Sequence, residues 1–574
     1  MEKRVLLAVT LSFLVLAAYQ YFFVKPLPPG ARQAPAATAT APATPGTSPA
    51  AGGAAAQVGA TPTSPTAVEP TEPIADVQPL VSDTAERDVI VETPKVRAVF
   101  STRGAELKSW HLKDYKGDNQ DHPVDLVPAD LPPNEPRAFT LEAADPVLSR
   151  RLRTALFRPS AASIDVSQGQ KTLVFEYQDA AGLAVKKSFD FEANGQPYLL
   201  AFSADVRNAG QPVNVTVTSG PGLGDTDRAS GSGGFFSPSY YQKPQAIYQQ
   251  DTKVTRLDGS ALQKAPTYQG RFRYIGSDDH YFLSVLVPGE RDVRVDYRTL
   301  SVTAPDGARA LVAYTVRQEA PWQQAVFYLG PKQFDVLAGA DKELVRTIHF
   351  GMFDWLVVPL LRALNFVNRY VSNYGWSIII LTVLINLVMW PLRHKSMVSM
   401  RKMQSLQPQV KAIQDRYAGL KATDPARQKM NTELMNLYRE KGVNPASGCV
   451  PMLLTFPVLF AFYALLSQAI ELRGAPFFGW IQDLSVKDPW FITPVLMGVT
   501  MFWQQWMTPS TADPAQQKVM MFMPIMFTFM FLWAPSGLVI YWFVSNLFAI
   551  GQQYLTNRMI GMPPAAAKPR AAGA

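Results

Sequence analysis

Three polar residues interrupt a strongly apolar stretch of this sequence, which runs from Trp376 to Leu392. Thr382 and Asn386 are one helical turn apart, and Arg393 follows seven residues after Asn386. On an α-helix this spacing puts all three close to one face, with Arg393 ~10.5 Å beyond Asn386 along the axis. An unpaired amide in an apolar setting costs roughly 1–3 kcal/mol, so these groups need partners or water. The stripe predicts either contacts between membrane helices or a hydrated groove.

Further polar or amphipathic residues occur in the apolar segments that follow. The other candidate groove residues are Thr455, Gln504, Gln505, Tyr541, Trp542, Ser545 and Asn546. For any single residue, a hydrogen bond that holds two helices together is an equally good interpretation. The whole set is biased towards the cytoplasmic half of several predicted helices, and this favours a hydrated groove open on that side.

The composition argues against most catalytic sites. The single cysteine, Cys449, excludes an internal disulfide, and the five histidines have none of the spacings of a zinc enzyme. No nucleotide-binding loop and no catalytic-triad spacing occurs. The acidic residues Asp225, Asp227, Asp278 and Asp279 are interpreted as solvated turn residues, with a catalytic or metal site as the alternative. We therefore expect no enzyme activity, no metal, no cofactor and no bound nucleotide.

The N-terminal part predicts an anchor and a spacer. Residues 1–24 contain about 20 consecutive uncharged residues, enough to cross a ~30 Å hydrocarbon core, and end in an aromatic cluster typical of a membrane interface. A cleaved signal peptide is the alternative. Lys3 and Arg4 place the N-terminus in the cytoplasm. Residues 25–85 are rich in Pro, Ala, Thr and Gly and predict a disordered tether.

The middle of the chain changes to short runs of alternating polarity. Residues 86–345 contain well over ten such runs, separated by Gly, Pro, Asn or Asp, and this predicts an all-β domain of sandwich type. Residues 352–371 have apolar side chains at helical spacing and predict an amphipathic helix on the membrane surface. A core helix of the β domain is the alternative for that segment.

The C-terminal part predicts a membrane bundle. It contains five apolar segments, residues 375–392, 450–470, 490–507, 519–534 and 538–557. Together with the N-terminal anchor they make six predicted spans. An even number of spans places both termini in the cytoplasm and residues 25–350 on the opposite side. Segment 393–445 carries eleven basic and four acidic residues, which supports this orientation. The predicted bundle is residues 372–560, followed by a short cytoplasmic tail, 561–574.

Segment 393–445 also predicts a cytoplasmic helical hairpin. The two arms could pack on each other through their apolar stripes, or the methionine-rich stripe could bind peptides. The basic face could contact lipid headgroups or ribosomal RNA, or be only solvated. The stripes consist of Met397, Met400, Met403, Leu406, Val410, Ile413 and Tyr417 on one arm and Met430, Leu434, Leu437 and Tyr438 on the other.

Several longer segments carry a family resemblance. They are LQPQV (406–410), LYREKGVNPASGCVPMLL (437–454), AIELRGAPFFGWIQDLSVKDPWFITPVLMGVTMF (469–502), DPAQQKVMMFMP (513–524) and FLWAPSGLVIYWFVSNLFAIGQQ (531–553). Residues 351–560 thereby resemble the YidC-type bacterial membrane protein insertases. In the β domain only GAELKSWHLKDY (104–115) is strongly similar. The resemblance implies the long Gram-negative form, a multi-pass α-helical membrane bundle with six spans and a five-helix insertase core, plus an all-β supersandwich periplasmic domain.

The resemblance also implies a function. Such insertases take polypeptide segments into a cytoplasm-open hydrophilic groove and release them sideways into the bacterial inner membrane, alone or with the SecYEG translocon. The implied partners are nascent membrane proteins, SecYEG and membrane lipids, with the ribosome, through the hairpin, left open. A small-solute transporter or channel is the alternative. It would predict internal repeats, and none is apparent between the spans.

The sequence departs from the family pattern at two places. Many members have a groove arginine where this chain has Asn386, so either an amide suffices through hydration or Arg393 supplies the charge. After Arg558 the tail has only Lys568 and Arg570, so strong ribosome docking through a basic tail is not expected.

Overall fold

The computed structural model describes most of the chain beyond the tether. The predicted anchor (1–24) and tail (561–574) lie outside the described residues, as do Asp225 and Asp227. The described residues are 77–117, 122–128, 131–132, 135–193, 196–223, 242–289, 291–304, 307–318, 322, 324–417, 425–442, 450–508 and 514–560.

The predicted β domain is present and consists of short strands joined by turns. The strands are β1 (Pro79–Val81), β2 (Asp88–Glu92), β3 (Val96–Ser101), β4 (Glu106–Lys116), β5 (Pro123–Asp125), β6 (Thr140–Ala143), β7 (Arg158–Pro159), β8 (Ser163–Asp165), β9 (Gln170–Asp179), β10 (Leu183–Glu192), β11 (Leu199–Asn208), β12 (Gln211–Pro212), β13 (Val215–Gly222), β14 (Gln245–Gln250), β15 (Lys253–Leu257), β16 (Thr267–Arg271), β17 (Tyr274–Asp278), β18 (Phe282–Val287), β19 (Asp292–Ala304), β20 (Gly307–Gln318) and β21 (Ala325–Pro331).

These strands form three sheets in the described part of the chain. The largest has the order β1-β9-β10-β11-β21-β18-β17-β14-β15, with β12 beside β11 and β7 beside β9. The other two have the orders β16-β19-β20-β13-β6 and β5-β4-β3-β2-β8. Nearly all neighbours are antiparallel; β2 and β8 are a parallel pair. This confirms an all-β domain built from large packed sheets.

The start of the β domain corrects one predicted boundary. The tether was predicted to extend to residue 85, but β1 already begins at Pro79 and pairs with β9. Just after β1, the Asp83 amide donates to the Leu156 carbonyl over 3.1 Å. A three-residue strand is too short to show alternating polarity, and its hydrogen bonds come from a partner almost 100 residues later in the sequence.

Aromatic side chains fill the space between the sheets. Phe139 has ring centroids 5.2 Å from Phe189, 5.1 Å from Phe202 and 5.0 Å from Phe327. These four rings come from the largest sheet and from the segment before β6, and all are buried. Alternating residues of a strand point to one face, so the predicted pattern of every second residue being apolar brings these rings together.

The helical elements match the predicted apolar segments closely. All five predicted apolar segments of the bundle coincide with helices, although only α5 combines the length and hydropathy of a complete membrane span among the described residues. The six predicted spans are therefore not established by length and composition. The helices are α1 (Pro146–Thr154), α2 (Gly259–Lys264), α3 (Phe334–Ala340), α4 (Asp354–Val371), α5 (Tyr374–Ser405), α6 (Gln407–Arg416), α7 (Pro425–Glu440), α8 (Val450–Gln468), α9 (Ile492–Met507), α10 (Pro514–Phe531) and α11 (Ser536–Ile560).

Helix α4 is the amphipathic helix predicted for residues 352–371. Its apolar stripe, including Val357, Leu361 and Leu364, is buried against α5 and α8 rather than turned outwards. The outward side carries Trp355, which is 67% exposed, and Tyr370, which is 77% exposed. Large amphipathic aromatic rings of this kind are typical of a membrane interface, so a surface location stays a prediction.

The hairpin differs from the prediction in its first arm. Helix α5 continues without interruption beyond the apolar stretch to Ser405, and the arm then bends at Leu406 before α6. The Tyr417 hydroxyl donates to Glu433 of α7 over 2.8 Å, which ties the two arms together. The first stripe is therefore divided, because its beginning belongs to the membrane helix and only its end packs within the hairpin.

Asp278 and Asp279 also differ from the prediction, which interpreted them as solvated turn residues. They lie at the end of β17 and are 0% and 4% exposed. The Asp278 carboxylate is held by Lys332 and Arg256, each at 3.2 Å. Arg256 is in β15 and Lys332 directly follows β21, so spacing along the sequence could not reveal these cationic partners.

Candidate functional site

The polar stripe of α5 is a chain of hydrogen bonds along the helix. The Thr382 hydroxyl donates to the Ile378 carbonyl over 2.6 Å, and the Asn386 side-chain amide donates to the Thr382 carbonyl over 2.8 Å. Arg393 Nη1 then donates to Asn386 Oδ1 over 2.6 Å. Because one end of the amide faces the helix backbone and the other accepts from the guanidinium, Asn386 fixes the position of Arg393.

A cavity of about 330 Å³, lined mainly by polar residues, has Arg393 in its wall. The β domain contacts the C-terminal end of α8, at Ser467, whereas the residue of α8 that lines the cavity, Leu459, is in the middle of that helix. The walls of the cavity come from the C-terminal parts of α5 and α9, from most of the length of α11 and from the middle of α8. The lining residues are Arg393, Ser396, Met397, Met400, Arg401, Leu459, Gln504, Thr508, Tyr541, Trp542, Ser545, Asn546, Ala549, Gln552, Gln553 and Asn557.

The structure brings most of the sequence-predicted residues together. Six of the ten line the cavity: Arg393, Gln504, Tyr541, Trp542, Ser545 and Asn546. Thr382 and Asn386 are buried in α5 and do not line the cavity, but Asn386 accepts a hydrogen bond from Arg393, which does. Gln505 is half-buried but does not line the cavity. Thr455 lies on the described backbone of α8, but its side chain lies outside the described part.

Sequence reasoning missed several other polar residues that line the cavity. The missed polar residues include Arg401, Thr508, Gln552, Gln553 and Asn557. A signal was present, because these residues continue the helical spacing of the residues already identified on α5, α9 and α11. Arg401 and Thr508 were missed because they lie beyond the predicted apolar segments, and Gln552, Gln553 and Asn557 because they lie near the end of the last one, where polar side chains are expected at the membrane surface.

The cavity is cationic. Arg393 and Arg401 both line it, and no Asp or Glu belongs to the lining among the residues that the structure describes. Arg401 donates through Nη2 to Asn557, while its buried Nη1 has no hydrogen-bond partner in the described part of the chain. Two guanidinium groups without a neighbouring carboxylate favour a ligand that accepts hydrogen bonds or carries negative charge.

Amides from α11 hold the walls together. Gln552 Nε2 donates to the Trp390 carbonyl of α5 over 3.0 Å, and Gln553 Nε2 donates to the Met507 carbonyl of α9. Asn546 Nδ2 donates to Thr500 Oγ1 over 3.3 Å. Asn546 therefore serves both interpretations made from the sequence, since it connects two helices and also faces the cavity.

The opposite end of the bundle is covered by a loop, residues 473–491, which we call the outer loop. The Val486 carbonyl accepts from the Ser536 amide over 2.7 Å, and the Leu484 carbonyl accepts from Gly537 over 2.9 Å. Asn373, just before α5, donates to the Phe477 carbonyl over 3.1 Å. The outer loop thus binds the N-terminal ends of both α5 and α11, whereas α5 contributes to the cavity with residues near its C-terminal end.

Comparisons with known proteins cover both halves of the chain. The family described as "60Kd inner membrane protein" matches residues 366–563, and the one described as "YidC periplasmic domain" matches residues 88–363. A protein of Citrifermentans bemidjiense named membrane protein insertase YidC is 36% identical over 98% of this chain and 100% of its own length. The chain belongs to the YidC family of membrane protein insertases. The YidC assignment accounts for the β domain and the helical part together, since the two matches adjoin at residues 363–366.

Further similar proteins carry the same name. A YidC of Geobacter metallireducens is also 36% identical, over 98% of this chain and 99% of its own length. A crystal structure described as an active YidC insertase with its first transmembrane domain resolved has a TM-score of 0.33 and 18% identity, covering 84% of this chain and 95% of that one.

Proposed function

We propose that this chain takes segments of nascent membrane proteins into the cavity from the cytoplasm and releases them sideways into the inner membrane. It would work alone or with the SecYEG translocon. The observation that carries the proposal is a cavity lined mainly by polar residues, with two guanidinium groups in its wall, in a bundle whose opposite end is covered by the outer loop. A hydrated cavity lowers the cost of bringing polar groups into the membrane.

Asn386 and Arg393 would act as a unit in this mechanism. Asn386 stands where many family members have an arginine, and its side chain accepts a hydrogen bond from Arg393. Hydration and charge would therefore act together at this site, because the Asn386 amide holds the Arg393 guanidinium, which lies two helical turns further along α5. An acidic or amide-rich segment of a substrate would bind beside this pair.

The outward faces of α8 and α10 supply a path for the apolar part of a substrate. Phe460 on α8 is 46% exposed, and Phe522 and Ile525 on α10 are 65% and 56% exposed. Apolar groups at such positions are stable against lipid. A substrate helix could move from the cavity along these faces without exposing apolar side chains to water.

The orientation and partners belong to the same proposal. Both termini would lie in the cytoplasm and residues 25–350 in the periplasm. The hairpin would meet ribosomes or lipid headgroups through its basic residues, and no nucleotide would be needed.

The test is insertion into liposomes that contain only the purified chain. A single-span substrate with an acidic translocated tail is added, and protease protection scores its insertion. We expect the native chain to insert it, Asn386→Leu and Arg393→Gln to lose most of the activity, and Asn386→Arg to retain part of it. Equal insertion by all variants would show that the polar stripe is only structural. Insertion no better than with empty liposomes would contradict unaided insertion, and adding SecYEG would then test the assisted form.

The structure favours insertion over the transporter or channel alternative. A continuous solute path would have to cross the outer loop, whose carbonyls are bonded to the first residues of α11. Helix α5 also runs unbroken through the bundle, whereas discontinuous helices at mid-membrane are typical of transporters.

A further inference from the structure

A turn of the β domain reaches the membrane bundle. This turn, residues 278–282, joins β17 to β18, and we call it the docking turn. Its base is a buried ionic group in which the Asp278 carboxylate contacts Lys332 Nζ and Arg256 Nε, each at 3.2 Å. The Lys332 amide also donates to the Tyr281 carbonyl over 2.7 Å. Charges buried in this way keep one geometry, because separating one partner leaves the other unpaired.

The docking turn binds the end of α8 through His280. His280 Nε2 lies 2.7 Å from the Ser467 carbonyl, and the backbone N–H of Gln242 donates to His280 Nδ1 over 3.3 Å. Since Nδ1 accepts, the neutral ring carries its proton on Nε2 and donates it to Ser467. Ser467 is in the last turn of α8, where helix carbonyls lack partners within the helix. His280 is therefore a cap that one domain provides for a helix of the other.

Arg473 of the outer loop completes the joint from the bundle side. Its guanidinium lies 5.4 Å from the ring centroid of Tyr281 and 5.2 Å from that of Phe282. Arg473 Nη2 also donates to the Lys116 carbonyl at the end of β4 over 3.0 Å. Because a buried guanidinium between aromatic faces is strongly oriented, Arg473 holds the chain that leaves α8 against the β domain.

Helix α8 is held in the bundle mainly through one other helix, α4. It has far less contact with α5 and α11, whereas α5 and α9 each pack extensively on α11. Leu459 of α8 nevertheless lines the cavity. The contacts of α8 with α4 and with the β domain therefore set the position of this wall of the cavity.

We propose that His280 and Arg473 are positioning residues for insertion, which the β domain uses to hold α8 as a wall of the cavity. The proposal rests on the proposed insertase function. It gives the periplasmic domain a specific task, namely to fix the periplasmic end of one cavity helix while the other end stays free to admit a substrate.

The test uses the full-length chain in liposomes with four variants. His280→Leu removes the hydrogen-bond donor, while His280→Gln keeps a side-chain N–H that can reach Ser467. Arg473→Gln removes the cation. Lys487→Gln is the matched control, because Lys487 is an exposed cation of the outer loop that lies over the Phe491 ring instead. Hydrogen exchange of the amides at residues 464–468 reports on the end of α8, and protease protection reports on insertion.

We expect His280→Leu and Arg473→Gln to speed exchange at 464–468 and to slow insertion about threefold to tenfold, the range for losing one buried polar contact. His280→Gln and Lys487→Gln should resemble the native chain. The proposal would be overturned if His280→Leu and Arg473→Gln exchanged faster but inserted the substrate as well as the native chain does, or if their exchange were unchanged. It would also be overturned if His280→Gln inserted as poorly as His280→Leu. If His280→Leu does not fold, Arg473→Gln decides by the same measurements. Absence of insertion by the native chain would contradict the proposed function, and exchange alone would then decide whether the joint holds α8.

Discussion

Asp279 is a carboxyl group whose two oxygens have unequal surroundings. Oδ1 accepts hydrogen bonds from the amides of Tyr281, over 2.8 Å, and Phe282, over 2.7 Å. Oδ2 is buried without a partner among the described residues. Burial raises the pKa of Asp279 from 3.8 to about 7, although the nearby Lys332 acts in the opposite direction. The folded β domain therefore binds a proton that the unfolded chain has released.

This predicts a pH-dependent effect of Asp279→Asn on stability. Between pH 4 and 7 the folded state holds more protons than the unfolded state, so the contribution of Asp279 to stability falls as the pH rises. Asparagine keeps the acceptor oxygen and carries no charge. We expect little change in the free energy of unfolding at pH 4 and a gain on the order of 1–3 kcal/mol at pH 8. Urea unfolding followed by circular dichroism measures it. A gain of equal size at both pH values would contradict the cause given.

Arg401 allows a matched test of charge in the cavity. It lines the cavity, whereas the neighbouring Lys402 has the same charge but does not. We expect Arg401→Gln to reduce insertion of a substrate with an acidic tail about tenfold, since one charge-assisted contact is worth ~1.5–3 kcal/mol. Lys402→Gln should have a much smaller effect. The insertion assay with acidic and neutral tails checks this, and equal sensitivity to the two substitutions would show that only net charge matters.

Helices α9 and α10 approach each other closely at Gly498. A Cβ atom added there would lie 2.0 Å from Thr528 Oγ1 and 3.0 Å from Thr528 Cβ. Small residues permit such contacts between membrane helices, where packing is the main source of stability. The distance between these two elements therefore depends on one residue.

We expect Gly498→Ala to separate α9 from α10 and to destabilise the bundle by about 1–3 kcal/mol, the usual cost of overpacking. Thermal unfolding of the chain in detergent measures the loss. Gly551→Ala on α11 is the control, because its added Cβ would have no atom within 4 Å in the described structure. A similar melting temperature for both variants would mean that α10 shifts freely to accommodate the methyl group.

The molecule as a whole has a cavity on one side and a covered surface on the other. The outer loop binds Asn373, Ser536 and Gly537, and the docking turn binds Ser467 and Arg473 on the same side. We expect liposomes containing the chain to retain a small trapped fluorophore as well as empty liposomes do, because the outer loop is bonded across the end of the bundle opposite the cavity. Release of the dye in proportion to the amount of chain would favour the channel alternative instead.

Much of the fold was predictable because it depends on local pattern. Alternating polarity predicted the β domain, and helical spacing predicted α4 to within two residues at its start. The five apolar segments of the bundle were recognised because membrane helices satisfy their own backbone hydrogen bonds and need only apolar side chains. Strand β1 was missed, since its pairing with β9 is a long-range contact.

By itself the sequence determined the class of each segment, the polar stripe of Thr382, Asn386 and Arg393, and the family. Each of these depends on residue type and on spacing within one element. The tertiary structure decided that Arg401 joins Arg393 in one cavity, that Asp278 and Asp279 are buried, and that His280 caps α8. These features need groups from different elements to meet, and the distance between such groups is set by packing rather than by their separation along the chain.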